Sequence, residues 1–454
     1  MSAPILEIRD LRVDGQRLTA AAQGLITSSS TDLKADLRLS SLTAADPAMA
    51  GALTAQAAVT GAPGARRITV SGEATDLELG INELDSALRG RTNLTAIAQE
   101  KEGRFEVETL RLANPQLTAD GRGSFAQGAL DAALDLDVPD LGALQPGFAG
   151  SLKATATARE ANGVRSIEAT GTGQDLRLGQ QDVDGALSGT TNFRLSAEQA
   201  GSTVTVRDLQ LTNDQMTANV EGVLAETGTD LTATADIRSL AAFGRGWRGA
   251  LRLDGSLKDD GTGARVLAVD GTGTDLALGQ KSVDGVLAGE TRLTVRGTER
   301  DGVLTLTQAV IDNPRAQADV KGTVGGGQTD LSGRVNLADL SALGLGWRGS
   351  FAATGRVNEE PGGLRRLVLD GTGHDLSLGQ AQADGVLGGE TRVTLRGTEQ
   401  NGVLTIEQAV IDNPRTNADI SGTIGGGQTN VQGRVNLADL SALRGERAVD
   451  GGAQ

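Results

Sequence analysis

Cysteine is missing from all 454 residues, and with it every disulfide and every thiolate metal site. Tyrosine is missing too, and aromatic residues make up 2% of the chain, so the large rings that usually fill a compact enzyme core are scarce. The only histidine, His374, stands where the equivalent positions carry Gln174 and Thr274, which leaves no Ser/His/Asp set and no partner for a histidine metal site. No block of Lys or Arg rises out of the formal charge of −16, which argues against nucleic acid as a partner. No run approaches the ~20 apolar residues of a spanning helix. The first ten residues lack the basic start and apolar stretch of a signal peptide. We assign no active site, no cofactor and no metal, and expect a chain that is not an enzyme.

What fills the chain is glycine, 64 residues of it, with Leu, Val, Ala and Thr. It is organised by repetition. Gln174 to Gln180 returns as Thr274 to Gln280 and again as His374 to Gln380, and residues 271–340 match residues 371–440 at 50 of 70 positions. A more diverged copy precedes them, displaced by one residue, so that Asn114-Pro115 falls on Asn313-Pro314 and Asn413-Pro414. We divide the chain into a partial copy at 1–50 (the second half of a repeat), then copies at 51–150, 151–250, 251–350 and 351–454, the last truncated at its end. The chain starts and stops in mid-repeat, which leads us to expect a piece of something longer. With no Pro- or Ser-rich linker between copies, a continuous array is expected.

Within a copy the alternation has period two, as in Arg292 to Arg296, Leu304 to Leu306, Ala316 to Lys321 and Leu331 to Leu337. Turn chemistry separates these runs at residues 299–302, 312–315 and 325–328. Short connections between successive strands predict an antiparallel meander of about seven strands per copy, at ~4.8 Å per strand. Helical spacing is confined to Asn336 to Leu343, enough for one short turn. The expected fold is all-β: an elongated, twisted antiparallel sheet of tandem ~100-residue repeats curled into a groove, β-taco-like, because no second layer is visible to cover its aliphatic face. The alternative, a row of closed sandwiches, would leave cores poorly filled where Ala, Gly and Thr occupy inner positions.

Aliphatic pairs are the candidates for lining such a groove: Leu94, Phe105, Val107, Phe193, Leu195, Val204, Val206, Leu293, Val295, Leu304, Leu306, Val393, Leu395, Leu404 and Ile406. For each, plain packing is the competing explanation. Met49, Phe148, Trp247 and Trp347 share one position of the repeat and are read as anchors between copies rather than ligand contacts. Gly271-Thr272-Gly273-Thr274-Asp275-Leu276 lacks the nine-residue tandem stacking of a calcium repeat and the third glycine of a dinucleotide fingerprint. Asp76, Asp175, Asp275 and Asp375 are therefore read as shaping turns or capping strand ends.

Taken together, residues 271–280 (Gly-Thr-Gly-x-Asp-Leu-x-Leu-Gly-Gln), 284–289 (Asp-Gly-x-Leu-x-Gly), 313–315 (Asn-Pro-Arg) and 336–343 (Asn-Leu-Ala-Asp-Leu-Ser-Ala-Leu) and their copies resemble the central region of TamB-type translocation and assembly proteins, in the AsmA-like group of the Gram-negative cell envelope. The resemblance implies a periplasmic protein, anchored in the inner membrane at full length, with a hydrophobic groove for phospholipid transport between inner and outer membranes. It also implies support of outer-membrane biogenesis beside an Omp85-type outer-membrane barrel. Phospholipid acyl chains are the partner this reading predicts. The competing reading is a repetitive extracellular adhesin or structural spacer without lipid cargo, motivated by the acidic, cysteine-free, Gly- and Thr-rich repeats.

Overall fold

A computed structural model describes residues 5–438, apart from 45, 47, 79, 81–84, 127, 227, 361 and 381–383 and the side chains of 44, 181 and 182. The truncated end of the last copy lies outside the described residues. The fold is all-β, with 27 strands among the described residues and antiparallel pairing between sequence neighbours within each unit. The chain forms two compact units, Met1–Glu226 and Thr227–Gln454. Each is an open meander. In the first, Leu6–Asp14 pairs only with Leu18–Ile26, and in the second Gln428–Leu437 pairs only with Thr416–Gly425, among the described residues.

The strand count per copy corrects the expectation of about seven. Trp247–Asp259, Arg265–Leu278, Glu290–Arg300, Val303–Asn313, Ala316–Gly325 and Gln328–Leu337 make six, and Arg348–Glu360 opens the next set. Residues 279–289 and 338–347 are connections, not strands. Because direction reverses at every strand, six strands return each copy to the same heading. One end of the strands, the hairpin end, therefore carries only short connections (260–264, 301–302 and 326–327), and the other carries both long ones (279–289 and 338–347) with the short turn at 314–315 between them. At the hairpin end Glu102, Asn162, Asp301 and Asn401 take φ of 51–53°, each followed by a glycine at 76–80°. Two successive left-handed residues form the turn whose twist suits a two-residue hairpin.

At the other end the long connections fold back over the aliphatic face. This is a partial second layer that periodicity did not reveal. In the first unit Leu42, Leu77, Ala87, Leu88 and Leu141 bury against Leu39, Leu117 and Val138, and in the second Leu340, Val386 and Leu387 bury against Leu376. The connection is held by polar ties that recur in every copy. Asn313 Nδ2 donates to the Ala288 carbonyl (3.2 Å), the Glu290 carbonyl (3.1 Å) and Thr291 Oγ1 (2.9 Å), while Asn313 Oδ1 accepts from Arg315 N (2.9 Å). Asn114, Asn213 and Asn413 repeat the arrangement with Thr92, Thr191 and Thr391, each pair 22 residues apart. The four threonines are almost fully buried, so each latch satisfies groups that water cannot reach.

A second tie explains the repeated Gly-x-Asp-Leu motif. Asp76, Asp175, Asp275 and Asp375 adopt φ of 50–51°, and each accepts through Oδ1 from the N–H of Gly90, Gly189, Gly289 or Gly389 at 2.8–3.0 Å. Opposite them the register slips, as between Arg348 and Ser350. Gly349 there has φ 94°, and a Cβ on it would meet the His374 carbonyl oxygen at 2.4 Å. These carboxylates shape backbone. His374 itself lies exposed on the strand Leu364–Ser377, opposite Ser350 and Glu390.

Asn313→Ala removes a buried group that satisfies four others, and is expected to cost about 1–3 kcal/mol of stability. Chemical denaturation followed by circular dichroism checks this, as a lower midpoint with an unchanged slope.

Candidate functional site

The site is a sheet face. In antiparallel pairing, directly opposed residues share a face, so the registers can be read as rows crossing the strands. Leu293 lies opposite Ile311 and Val295 opposite Ala309. The register then slips, so that Leu306 lies opposite Gly297 and Leu304 opposite Glu299. That bulge matters because 304 and 306 differ in parity from 309 and 311. Without the extra residue, half of the strand Val303–Asn313 would point its aliphatic side chains to the other face. Thr307 Oγ1, at the bulge, donates to the Arg296 carbonyl at 3.1 Å. The slip recurs after Ile97, Ser196 and Arg396.

Following the registers across each unit puts the candidate pairs on one face. In the second unit Leu293, Val295, Leu304 and Leu306 share it with Val393, Leu395, Leu404 and Ile406, through Leu337, Val335 and Leu331. In the first, Leu94, Phe105 and Val107 share a face, as do Phe193, Leu195, Val204 and Val206. Phe193 is not free to fill a groove. A Cβ on Gly171 of the neighbouring strand would lie 2.5 Å from its ring, so the ring rests on that glycine. Phe351, which periodicity did not single out, rests on Gly371 in the same way.

The four aromatic-position residues sit where the connections fold over. Met49 and Phe148 pack on the first unit's cluster, and Trp347 packs on Leu340, Leu376, Val386 and Leu387, residues on both sides of it in sequence. Trp247 differs: it is 37% exposed, and a Cβ on Gly244 would lie 2.9 Å from its indole.

Toward the hairpin end the aliphatic face is uncovered. In the first unit a cavity of about 400 Å³ opens among Val107, Leu110, Phe125, Leu134 and Ile167. Most of its other lining residues, such as Leu130 and Ala158, share that face, while Arg122, Ser124, Ala133 and Thr157 belong by strand parity to the opposite one. Around it Phe105 is 41% exposed, Phe125 57% and Leu134 40%. Apolar side chains in contact with water across adjacent strands are the mark of a surface made to be covered. Sequence periodicity found Val107 and Phe105 here but missed Phe125, Leu134 and Ile167, although each lies in a run of alternating residues.

The reverse face is polar. It also carries hollows, of about 1000 Å³ beside Asp319, Arg334, Asp370 and Arg392 and about 780 Å³ beside Arg111, Asp120, Asp135 and Lys153. Cross-strand pairs line it: Arg252 with Asp236 (2.8 Å), Arg296 with Asp270 (2.6 Å) and Arg356 with Asp330 (2.6 Å). All are solvent-accessible, so they set register and solubility more than stability. Hydrogen bonds from Arg252, Arg296 and Arg356 hold the three carboxyls below the ordinary value of 3.8, and the Gly189 N–H does so for Asp175.

The chain matches no protein-family model and no curated protein sequence. Among the described residues no helix is long and apolar enough to cross a membrane.

Because these carboxyls titrate lower in the folded protein than in the unfolded chain, their ionised forms add stability that is fully present above the unfolded value. That stability is lost as pH falls through the folded value. Denaturant midpoints measured from pH 6 downward should be level with respect to these groups until about pH 4, then fall. Arg356→Gln should reduce the drop by returning Asp330 toward its ordinary value.

Proposed function

We propose that the uncovered aliphatic face binds the acyl chains of phospholipids, and that the chain acts as a length of groove rather than as an enzyme. The observation that carries this reading is the apolar cavity between Val107 and Ile167, opening onto exposed Phe125 and Leu134. Burying an acyl chain there yields about 25 cal/mol for each Å² removed from water. Contacts made by smooth aliphatic side chains lack direction, so a lipid held by them is free to slide.

The resemblance to TamB-type proteins extends the proposal. A protein of this kind would work in the periplasm of a Gram-negative cell, carry phospholipid between the inner and outer membranes and support outer-membrane biogenesis. At full length it would be anchored in the inner membrane and pair with an Omp85-type barrel. Pairs of aliphatic residues such as Leu293 with Val295 and Leu404 with Ile406 would extend the lipid track in the second unit, and Met49, Phe148, Trp247 and Trp347 would anchor copy to copy. The spacer reading draws on the covered end, where the latched connections bury apolar groups without any ligand.

Mass spectrometry of the chain purified without detergent separates the two readings. Co-purifying phospholipid is expected, and clean protein with a cooperative fold supports the spacer instead. Leu134→Asp and Leu304→Asp should each lower retained lipid roughly tenfold by placing a charge against the acyl chain. Thr354→Asp, on the polar face, should leave lipid content unchanged. Equal loss of lipid in all three, with unchanged thermal melts, would place the lipid elsewhere.

A further inference from the structure

Nearest the hairpins, the aliphatic face ends in a row that is not aliphatic throughout. In the second unit the registers set Asp259 opposite Arg265, Arg265 opposite Glu299, Glu299 opposite Leu304, Leu304 opposite Val324 and Val324 opposite Thr329. Six strands on, the order returns as Glu359, Arg365, Glu399, Leu404, Ile424 and Thr429. The first unit carries Glu160, Arg165, Gln199, Val204 and Leu224 in the same order. There too, the Arg66 carbonyl accepts from the Glu100 N–H, and Glu100 stands opposite Phe105. One arginine per copy thus sits at the edge of the aliphatic face beside at least one carboxylate.

The pairs are formed: Arg66 with Glu100 at 3.3 Å, Arg165 with Glu160 at 2.8 Å, Arg265 with Glu299 at 3.8 Å, and Arg365 with both Glu399 (3.3 Å) and Glu359 (3.5 Å). Support of the sheet by cross-strand charge pairs accounts for their being paired. It does not account for their confinement to one row of the aliphatic face, where every copy follows the charges with apolar side chains on the next two strands.

We infer that this row reads the head group of a phospholipid whose acyl chains lie on the face, and that it selects a zwitterionic amino-phosphate head group over an anionic one. The inference rests on the lipid reading above. Arginine offers a phosphate a planar, bidentate donor pair, and the neighbouring carboxylate offers an ammonium its counter-charge. A head group with its two charges one short linker apart spans strands ~4.8 Å apart and exchanges an internal ion pair for two external ones. An anionic phosphoglycerol head gains only the arginine. Around Arg265 and Arg365 it also meets two carboxylates for each guanidinium, so the row repels it.

The test uses the whole chain incubated with vesicles of equimolar phosphatidylethanolamine and phosphatidylglycerol with identical acyl chains, then separated and weighed by mass spectrometry for bound lipid. The ethanolamine lipid should be enriched roughly threefold, the scale of partly exposed ion pairs. A variant combining R66Q, E100Q, E160Q, R165Q, R265Q, E299Q, R365Q and E399Q removes the pair of every copy, keeps net charge and should bind as much total lipid with a ratio near one. Should that variant unfold, Arg365→Gln alone gives the same readout with a smaller change. Lipid bound by the wild type without preference, or with preference for phosphoglycerol, overturns the head-group assignment and leaves the groove standing. A variant that keeps the preference also overturns it. No lipid of either class overturns both.

Discussion

An antiparallel meander reverses direction at each strand, so a repeating unit keeps its heading only if it contains an even number of strands. Six strands per copy satisfy that condition, and the rest of the architecture depends on it. Had a copy held seven, every second set of long connections would have fallen at the opposite end, and neither end of the aliphatic face could have been consistently covered. Instead the buried latches, the aspartates equivalent to Asp275 and the long connections accumulate at one end, and the left-handed two-residue hairpins equivalent to 301–302 at the other.

That asymmetry divides the aliphatic face of each unit into two regimes. Where connections fold back, the face is a conventional core, pinned by Asn313 and Thr291 and their equivalents and sealed by residues such as Leu88 and Leu387. Where the short connections stand, Phe125 and Leu134 remain in water. The bulges are what make the open part usable. By absorbing one residue in the fourth strand of each copy, they keep aliphatic side chains on a single face along the strand's whole length. Charge is kept largely on the reverse face, with the Arg and Glu row at the hairpin edge as the exception.

Strand character, the antiparallel meander and the repeat were legible because each leaves a periodic trace: alternation for the strands, turn residues between them, and a fixed spacing for the copies. The candidate pairs were legible for the same reason. The strand count was not, because residues 279–289 share the Gly-rich composition of the rest and carry no distinct signal. The latches had a signal that went unread. The spacing of 22 between Thr92 and Asn114 holds for Thr191 and Asn213, Thr291 and Asn313, and Thr391 and Asn413, even though the first copy is displaced by one residue.

Sequence alone determined that this chain is a β-repeat built from small and aliphatic residues, since side-chain periodicity and turn chemistry are local properties. Only the tertiary structure decided which residues share a face, where that face is covered and where it is open. Parity across a bulge depends on the partner strand's register, and burial depends on where a connection lands, neither of which is written in the spacing of residues along one strand.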